Sequence, residues 1–170
     1  DFIATDSLGR EWQLATIQLD FNMPERFDLT CVDERGGNER IVMIHRAVLG
    51  AIERFMAILI EHYAGAFPLW LSPVQVVVLP IGEAHQAYAM EVYKKLKEHK
   101  IRVELNAASE TLGKRIREAE TTKTPYILVL GDKEAEAESV AVRKRGQGDL
   151  GLKTLSSLLD EIKREIELKK

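Results

Sequence analysis

Apolar and polar residues alternate near the start of the chain. In residues 13–21, QLATIQLDF, Leu14, Thr16, Gln18 and Asp20 share one parity, and Ala15, Ile17, Leu19 and Phe21 share the other. A period of two predicts a half-buried strand with its apolar parity turned inward. Residues 6–10 before it, with Gly9, read as a turn. Residues 33–40, DERGGNER, form a polar turn in which Gly36 and Gly37 are free to take positive φ. Residues 27–32 and 41–44 on either side are the expected arms of an antiparallel hairpin. A helix is predicted over about residues 46–63, stopped by Gly65 and Pro68.

Residues 64–73, AGAFPLWLSP, carry two prolines and a glycine and read as a linker. Phe67, Trp70 and Leu71 mark it as a linker that packs. Beyond it the rhythm changes. Residues 74–79, VQVVVL, form a nearly continuous β-branched run, the pattern of a strand covered on both faces. Residues 83–99 read as a helix, 102–105 as a short strand, and 112–120 as a helix capped by Ser109 or Thr111. Residues 126–130, YILVL, read as a second buried strand and 139–145 as an edge strand. Leu152, Leu155, Leu158, Leu159, Ile162 and Ile166 recur at helical spacing in a final helix. This order predicts an α/β domain with a largely parallel sheet.

At 170 residues the chain suits one medium domain or two small ones. The longest apolar candidate, residues 55–60, stops at Glu61 and His62, so no membrane span is expected, and no signal peptide is visible. The start at Asp1, without methionine, reads as a piece of a longer protein. Cys31 is the only cysteine, which excludes an internal disulfide and a multi-cysteine metal site and favours a reducing, cytoplasmic setting. The net charge of −3 offers no global attraction to nucleic acid, so such a site has to be a local basic patch.

Four features carry candidate chemistry, each beside a structural alternative. His45, at the end of an apolar strand, is a structural histidine or a ligand, although nothing nearby has metal-ligand spacing. Ala47, Gly50, Ala51 and Arg54 fall on one predicted helical face, which makes a shallow groove for a flat ligand or phosphate, or a close packing contact with Arg54 paired to Glu53. Thr16, Gln18 and Asp20 form the floor of a small-molecule site or a solvated sheet face. Lys114, Arg115, Arg117 and Lys123, with the run Arg143, Lys144 and Arg145, form a phosphate- or base-reading patch or a solvated surface. Glu134 stands in GDKEAEAE, read as a loop after a strand, where ligands of parallel sheets commonly bind.

Together, WQLATIQLDFNMPERFDLT and VMIHRAVLGAIERF resemble the end of the catalytic domain of bacterial threonyl-tRNA synthetases. GAIERF, residues 50–55, resembles motif 3 of the class II enzymes. FPLWLSPVQVVVLPI and GKRIREAETTKTPYILVLGDKE, followed by VAVRKRG, resemble their anticodon-binding domain. The resemblance covers essentially the whole chain. It implies a mixed, mostly parallel five-stranded sheet with flanking helices over residues 73–170. An antiparallel-sheet plus helix remnant of the catalytic domain precedes it over residues 1–72. It also implies roles. His45 matches a ligand of the active-site zinc. Thr16 and Gln18 match residues lining the threonine and adenylate pocket, and Arg54 the motif 3 arginine that packs on ATP. Arg117, Glu134 and Arg143, with Ser109 at a position where asparagine is common, match residues that contact anticodon bases.

Departures accompany these matches. The family's other zinc ligands and its motifs 1 and 2 lie upstream of the residues here, and Cys31 matches neither missing ligand. One histidine cannot complete a zinc site, so this chain alone is expected not to activate threonine and to hold no cofactor tightly. Ala15, Ala51, Ala107 and Ala108 also depart from common family residues. The expectation is therefore part of a threonine–tRNA ligase whose complete form is a homodimer using zinc and ATP with magnesium. This portion would mainly recognise the anticodon loop of threonine-accepting tRNA in the cytoplasm, away from membranes. A free-standing RNA-binding or regulatory module with the same fold is the alternative, and a small-ligand domain the third reading.

Overall fold

The computed structural model describes residues 1–107 and 110–169. The chain divides into two compact units, Asp1–Ala64 and Gly65–Lys170. The first contains β1 (Phe2–Thr5), β2 (Glu11–Asp20), α1 (Asn22–Arg26), β3 (Thr30–Val32), β4 (Asn38–Arg40), β5 (Met43–Ala47) and α2 (Ile52–Tyr63). β1, β2 and β5 form an antiparallel sheet in that order, and β3 and β4 form a separate two-stranded ribbon. The turn at residues 6–10 is closed by the Asp6 carboxylate, which accepts the Leu8 and Arg10 N–H groups and Trp12 Nε1–H, each at 2.9 Å.

Three expectations change here. The apolar parity of β2 is not buried: Ile17 is 52% exposed and Leu19 and Phe21 are each 62% exposed. Pro24 is the one buried residue of this unit among the described residues. The helix starts at Ile52, because the β2–β5 ladder runs on through Thr16 opposite Ala47. Gly50 then takes φ +57°, and a Cβ there would stand 3.2 Å from the Leu14 carbonyl oxygen, so only glycine suits this turn. Arg46 and Ala47 are therefore strand residues, and Ala47, Gly50, Ala51 and Arg54 do not share a helical face. The hairpin arms are also shorter than expected, because Phe27 caps α1 and Met43 onward pairs with β2.

The second unit contains β6 (Val76–Pro80), a 3-10 turn (Glu83–His85), α3 (Gln86–Glu98), β7 (Val103–Leu105), α4 (Leu112–Thr121), β8 (Tyr126–Leu130), α5 (Asp132–Glu136), β9 (Ser139–Lys144), β10 (Gly148–Thr154) and α6 (Leu155–Glu167). The sheet order is β10-β9-β8-β6-β7. β7, β6 and β8 run parallel, while β9 and β10 return antiparallel. Thr111 caps α4 by accepting the Lys114 N–H, and Thr154 caps α6 through the Ser157 N–H. Ser109, the other cap candidate, lies outside the described residues.

The β-branched run becomes β6, buried along its whole length. On one sheet face Val76, Val78, Tyr126, Leu128, Val140 and Val142 pack with residues of α3 and α6. On the other, Val77, Leu79 and Ile127 pack with Ala119 of α4. β9 is not an edge strand: β10, unanticipated, lies outside it and takes Leu152 out of the final helix. The break between units falls earlier than the boundary expected after residue 72. Leu69 is 1% exposed in the second core, Gln75 Nε2 donates to the Leu69 carbonyl at 2.9 Å, and Arg102 donates to the Ser72 and Trp70 carbonyls at 2.8 Å.

Amide hydrogen exchange over residues 1–64 is expected to be faster than in β6 and β8, since the first unit lacks a buried apolar core. Slower exchange in β2 than in β8, measured by mass spectrometry, would contradict this.

Candidate functional site

The basic residues of the second unit do not form one patch. Lys114 pairs with Glu110 one turn away at 2.5 Å. Arg115 is only 3% exposed and donates to the Asn106 carbonyl at 3.0 Å and the Ile81 carbonyl at 3.3 Å, which joins the segments following β7 and β6. Its Nε is buried without a hydrogen-bond partner among the described residues. Arg117 is exposed. Strand parity separates Lys144 from Arg143 in the run at 143–145. Lys144 turns to the α6 face, where its Nζ is 2.7 Å from Glu165 Oε2 and 4.9 Å from the Tyr126 ring centroid. The Tyr126 hydroxyl donates to the same carboxylate oxygen at 2.7 Å, and burial with this carboxylate pushes the phenol well above its ordinary range. Arg145 donates to the Lys123 and Phe67 carbonyls, each at 2.5 Å.

Arg143 turns to the α4 face, registered beside Ile127, and Arg145 lines the same recess. Its Nη2 is 3.5 Å from Glu120 Oε1 of α4, and its Nη1 is 3.6 Å from Asp149 Oδ2 of β10. Arg117 lies three residues before Glu120 and so shares that flank of α4. Glu134 belongs to the short helix α5, not to a loop, and its Oε2 accepts the Gly131 N–H at 2.8 Å. It follows the end of β8, whereas Arg143 pairs near the start, a separation of roughly 10 Å along the strand. Arg117 is thus one turn from the Glu120 that faces Arg143, and Glu134 is at the other end of β8. Ser109 lies outside the described residues.

In the first unit Thr16, Gln18 and Asp20 share a face of β2, and Gln18 is registered opposite His45 of β5. His45 Nε2 lies 2.9 Å from Asp20 Oδ2. Asp20 Oδ1 also accepts the Asn22 and Met23 N–H groups at 2.9 and 3.0 Å. These bonds hold its carboxyl below the usual range, the Met23 amide first and His45 next. The Thr16 hydroxyl donates to Asp1 Oδ1 at 2.5 Å. Arg54 is exposed on α2, with no ion pair to Glu53 among the described residues. No group of three metal-binding side chains forms among the described residues. One imidazole held by one carboxylate does not fit a zinc site by itself.

Residues 75–165 match the family model "Anticodon binding domain", and residues 1–63 match "tRNA synthetase class II core domain (G, H, P, S and T)". The chain is 57% identical over 170 residues to a threonine–tRNA ligase of Carboxydothermus hydrogenoformans, covering 100% of this chain and 27% of that protein. It is 57% identical over 169 residues to one from Symbiobacterium thermophilum, covering 99% and 26%. The chain belongs to the threonine–tRNA ligase family. It spans about a quarter of the length of these relatives. A solved structure described as the RNA binding domain of threonyl-tRNA synthetase from Cryptosporidium parvum Iowa II superposes with a TM-score of 0.85 at 38% identity, over 96% of this chain and 42% of that one.

Among the described residues no helix is long and apolar enough to cross a membrane. Sequence reasoning missed Glu120 and Asp149 beside Arg143. A hairpin reading of residues 143–149 across Gly146 and Gly148 would have found Asp149, but nothing in spacing brings Glu120 to β9.

His45→Ala is expected to raise the Asp20 pKa part-way toward its ordinary value, because the amide bonds from Met23 and Asn22 remain. A carboxyl-detected NMR titration checks this, and an unchanged Asp20 pKa would contradict the pairing.

Proposed function

We propose that this portion of the ligase recognises the anticodon loop of threonine-accepting tRNA through the open flank of α4 and β9. One observation carries the reading: Arg115, Lys144 and Arg145 make close bonds to carbonyls and carboxylates within the fold, while Arg117 is exposed on α4 and Arg143, facing α4, has only contacts of 3.5 and 3.6 Å to Glu120 and Asp149. Arginine forks donate to base edges, and Glu134, with one oxygen held by Gly131, can accept from a base amine with the other. Ser109, which lies outside the described residues, is the remaining assigned base contact.

The same reading assigns the first unit to the active site of a complete, cytoplasmic, homodimeric enzyme. That enzyme would activate threonine with ATP and magnesium and transfer it to the terminal ribose of tRNA. Thr16 and Gln18 would line the threonine and adenylate pocket, Arg54 would stack on ATP, and His45 would be one zinc ligand. Zinc would supply Lewis-acid binding of the threonine amine and hydroxyl. His45 and Asp20 supply two donors at most, so this chain alone does not complete that site.

In filter binding the isolated chain is expected to prefer a threonine-accepting tRNA transcript over one with a scrambled anticodon, with affinity falling as salt rises. Arg143→Gln should cost about tenfold in cognate affinity, the usual scale for a lost arginine–base contact. Equal affinity for both transcripts would overturn specific recognition. The chain alone is also expected to show no threonine-dependent ATP–pyrophosphate exchange, and measurable exchange would overturn the assignment of an incomplete active site.

A further inference from the structure

We propose that His85 and Asp132 are positioning residues that hold Glu134 in place to accept a base amine. This inference rests on the anticodon-loop reading above. It concerns the carboxyl end of β8, away from Arg143. α5 has five residues, Asp132–Glu136, too few to hold its own position. Its first turn carries Glu134, which is half-buried and commits Oε2 to the Gly131 N–H at 2.8 Å. The direction of the other oxygen therefore depends on how α5 is anchored. The segment after β6 also walls a recess of about 330 Å³, lined by Ile81, Gly82, Glu83 and Arg115. Ligands of parallel sheets commonly bind at this end of the strands.

β6 and β8 are parallel neighbours, so the segments leaving their carboxyl ends lie side by side. The Ile81 N–H continues the ladder to the Leu130 carbonyl at 2.8 Å. A Cβ on Gly131 would stand 2.5 Å from Ile81 Cδ1, so glycine lets the two segments close up. His85, in the 3-10 turn after β6, then ties them together. Its Nδ1 accepts the Gly82 N–H at 3.2 Å, which places the ring proton on Nε2. Nε2–H donates to Asp132 Oδ1 at 2.9 Å. The imidazole is 12% exposed and the carboxylate 86% exposed. The ring is thus held in one tautomer by its own turn, and Asp132 reaches it from the solvent side. Behind α5, the Tyr88 hydroxyl donates to the Ser139 carbonyl at 2.8 Å and holds the exit into β9. Asp132 and Glu134 share a single turn, so anchoring the first fixes the rotation of α5 and the direction in which the second leaves it. A bond to so exposed a carboxylate adds little to global stability. What it restricts is this one turn.

The test measures binding of the full 170-residue chain to threonine-accepting tRNA transcripts with native and scrambled anticodons. Glu134→Ala is expected to lower the native-over-scrambled ratio by about tenfold, the scale of a lost base contact. His85→Ala and Asp132→Ala should each lower it by about threefold, the scale of one lost hydrogen bond. Asp132→Asn should keep the parent ratio, because its amide oxygen still accepts Nε2–H. Melting curves of both Asp132 variants are expected to overlay that of the parent, so Asp132→Ala carries the test even if His85→Ala folds poorly. In a Glu134→Ala background, Asp132→Ala should lower the ratio no further, since the two act through one contact. A merely structural role would weaken both transcripts alike and leave the ratio unchanged. A ratio unchanged by Asp132→Ala, with Glu134→Ala lowering it, overturns this inference and leaves the anticodon reading standing. A loss that persists in full in the Glu134→Ala background overturns it equally. A ratio unchanged by Glu134→Ala removes the reading at Glu134, and this inference with it.

Discussion

Burial of both faces of one sheet governs where the functional side chains of the second unit emerge. β6 has no exposed face, and β8 packs against the α3–α6 layer on one side and α4 on the other. A slip of one residue would exchange the two apolar sets, so the register is strongly specified. β9 inherits that register through Ile127 opposite Arg143 and Tyr126 opposite Lys144. Two adjacent cations are thereby sent to opposite faces. One closes an ion network on α6, and the other is presented beside α4. Strand parity thus gives these two neighbours different partners.

In a chain with net charge −3, several arginines of the second unit are used to hold backbone carbonyls. Arg115 is held among carbonyls at the carboxyl ends of β6 and β7, where a planar guanidinium satisfies two acceptors that the sheet leaves open. Arg145 does the same for the segment leading into the unit and for the turn before β8. Arg102 fastens that leading segment through two further carbonyls. Three arginines act as backbone clamps, and each keeps its positive charge while it satisfies carbonyl oxygens.

The first unit obeys a different balance. Its sheet has three strands, and both parities of β2 carry exposed residues. Order there depends on the ladders, on the Asp6 and Asp20 carboxylates that gather nearby amides, and on the turn at Gly50. The polar parity nevertheless brings Gln18, Asp20 and His45 together, because cross-strand neighbours in an antiparallel pair share a face.

Local pattern by itself determined the elements whose period is strong and whose ends are marked: the alternation of β2, the β-branched β6, the YILVL strand β8, and α6 with its leucine spacing. The family motifs, read residue by residue, were equally legible, because a motif is local. What pattern missed were features that depend on partners distant in sequence. The start of α2 was misplaced because the β2–β5 ladder, not helix propensity, decides the conformation of Ala47. β10 went unread because its glycines and exposed positions carry no alternation, and its existence depends on β9 beside it. The partners of each arginine were equally hidden, since carbonyls and carboxylates on other elements decide which guanidinium is held. Sequence specified the chemistry available at each position. Tertiary structure decided which of those groups were already satisfied, because hydrogen-bond and charge partners are brought together by register and packing, not by spacing along the chain.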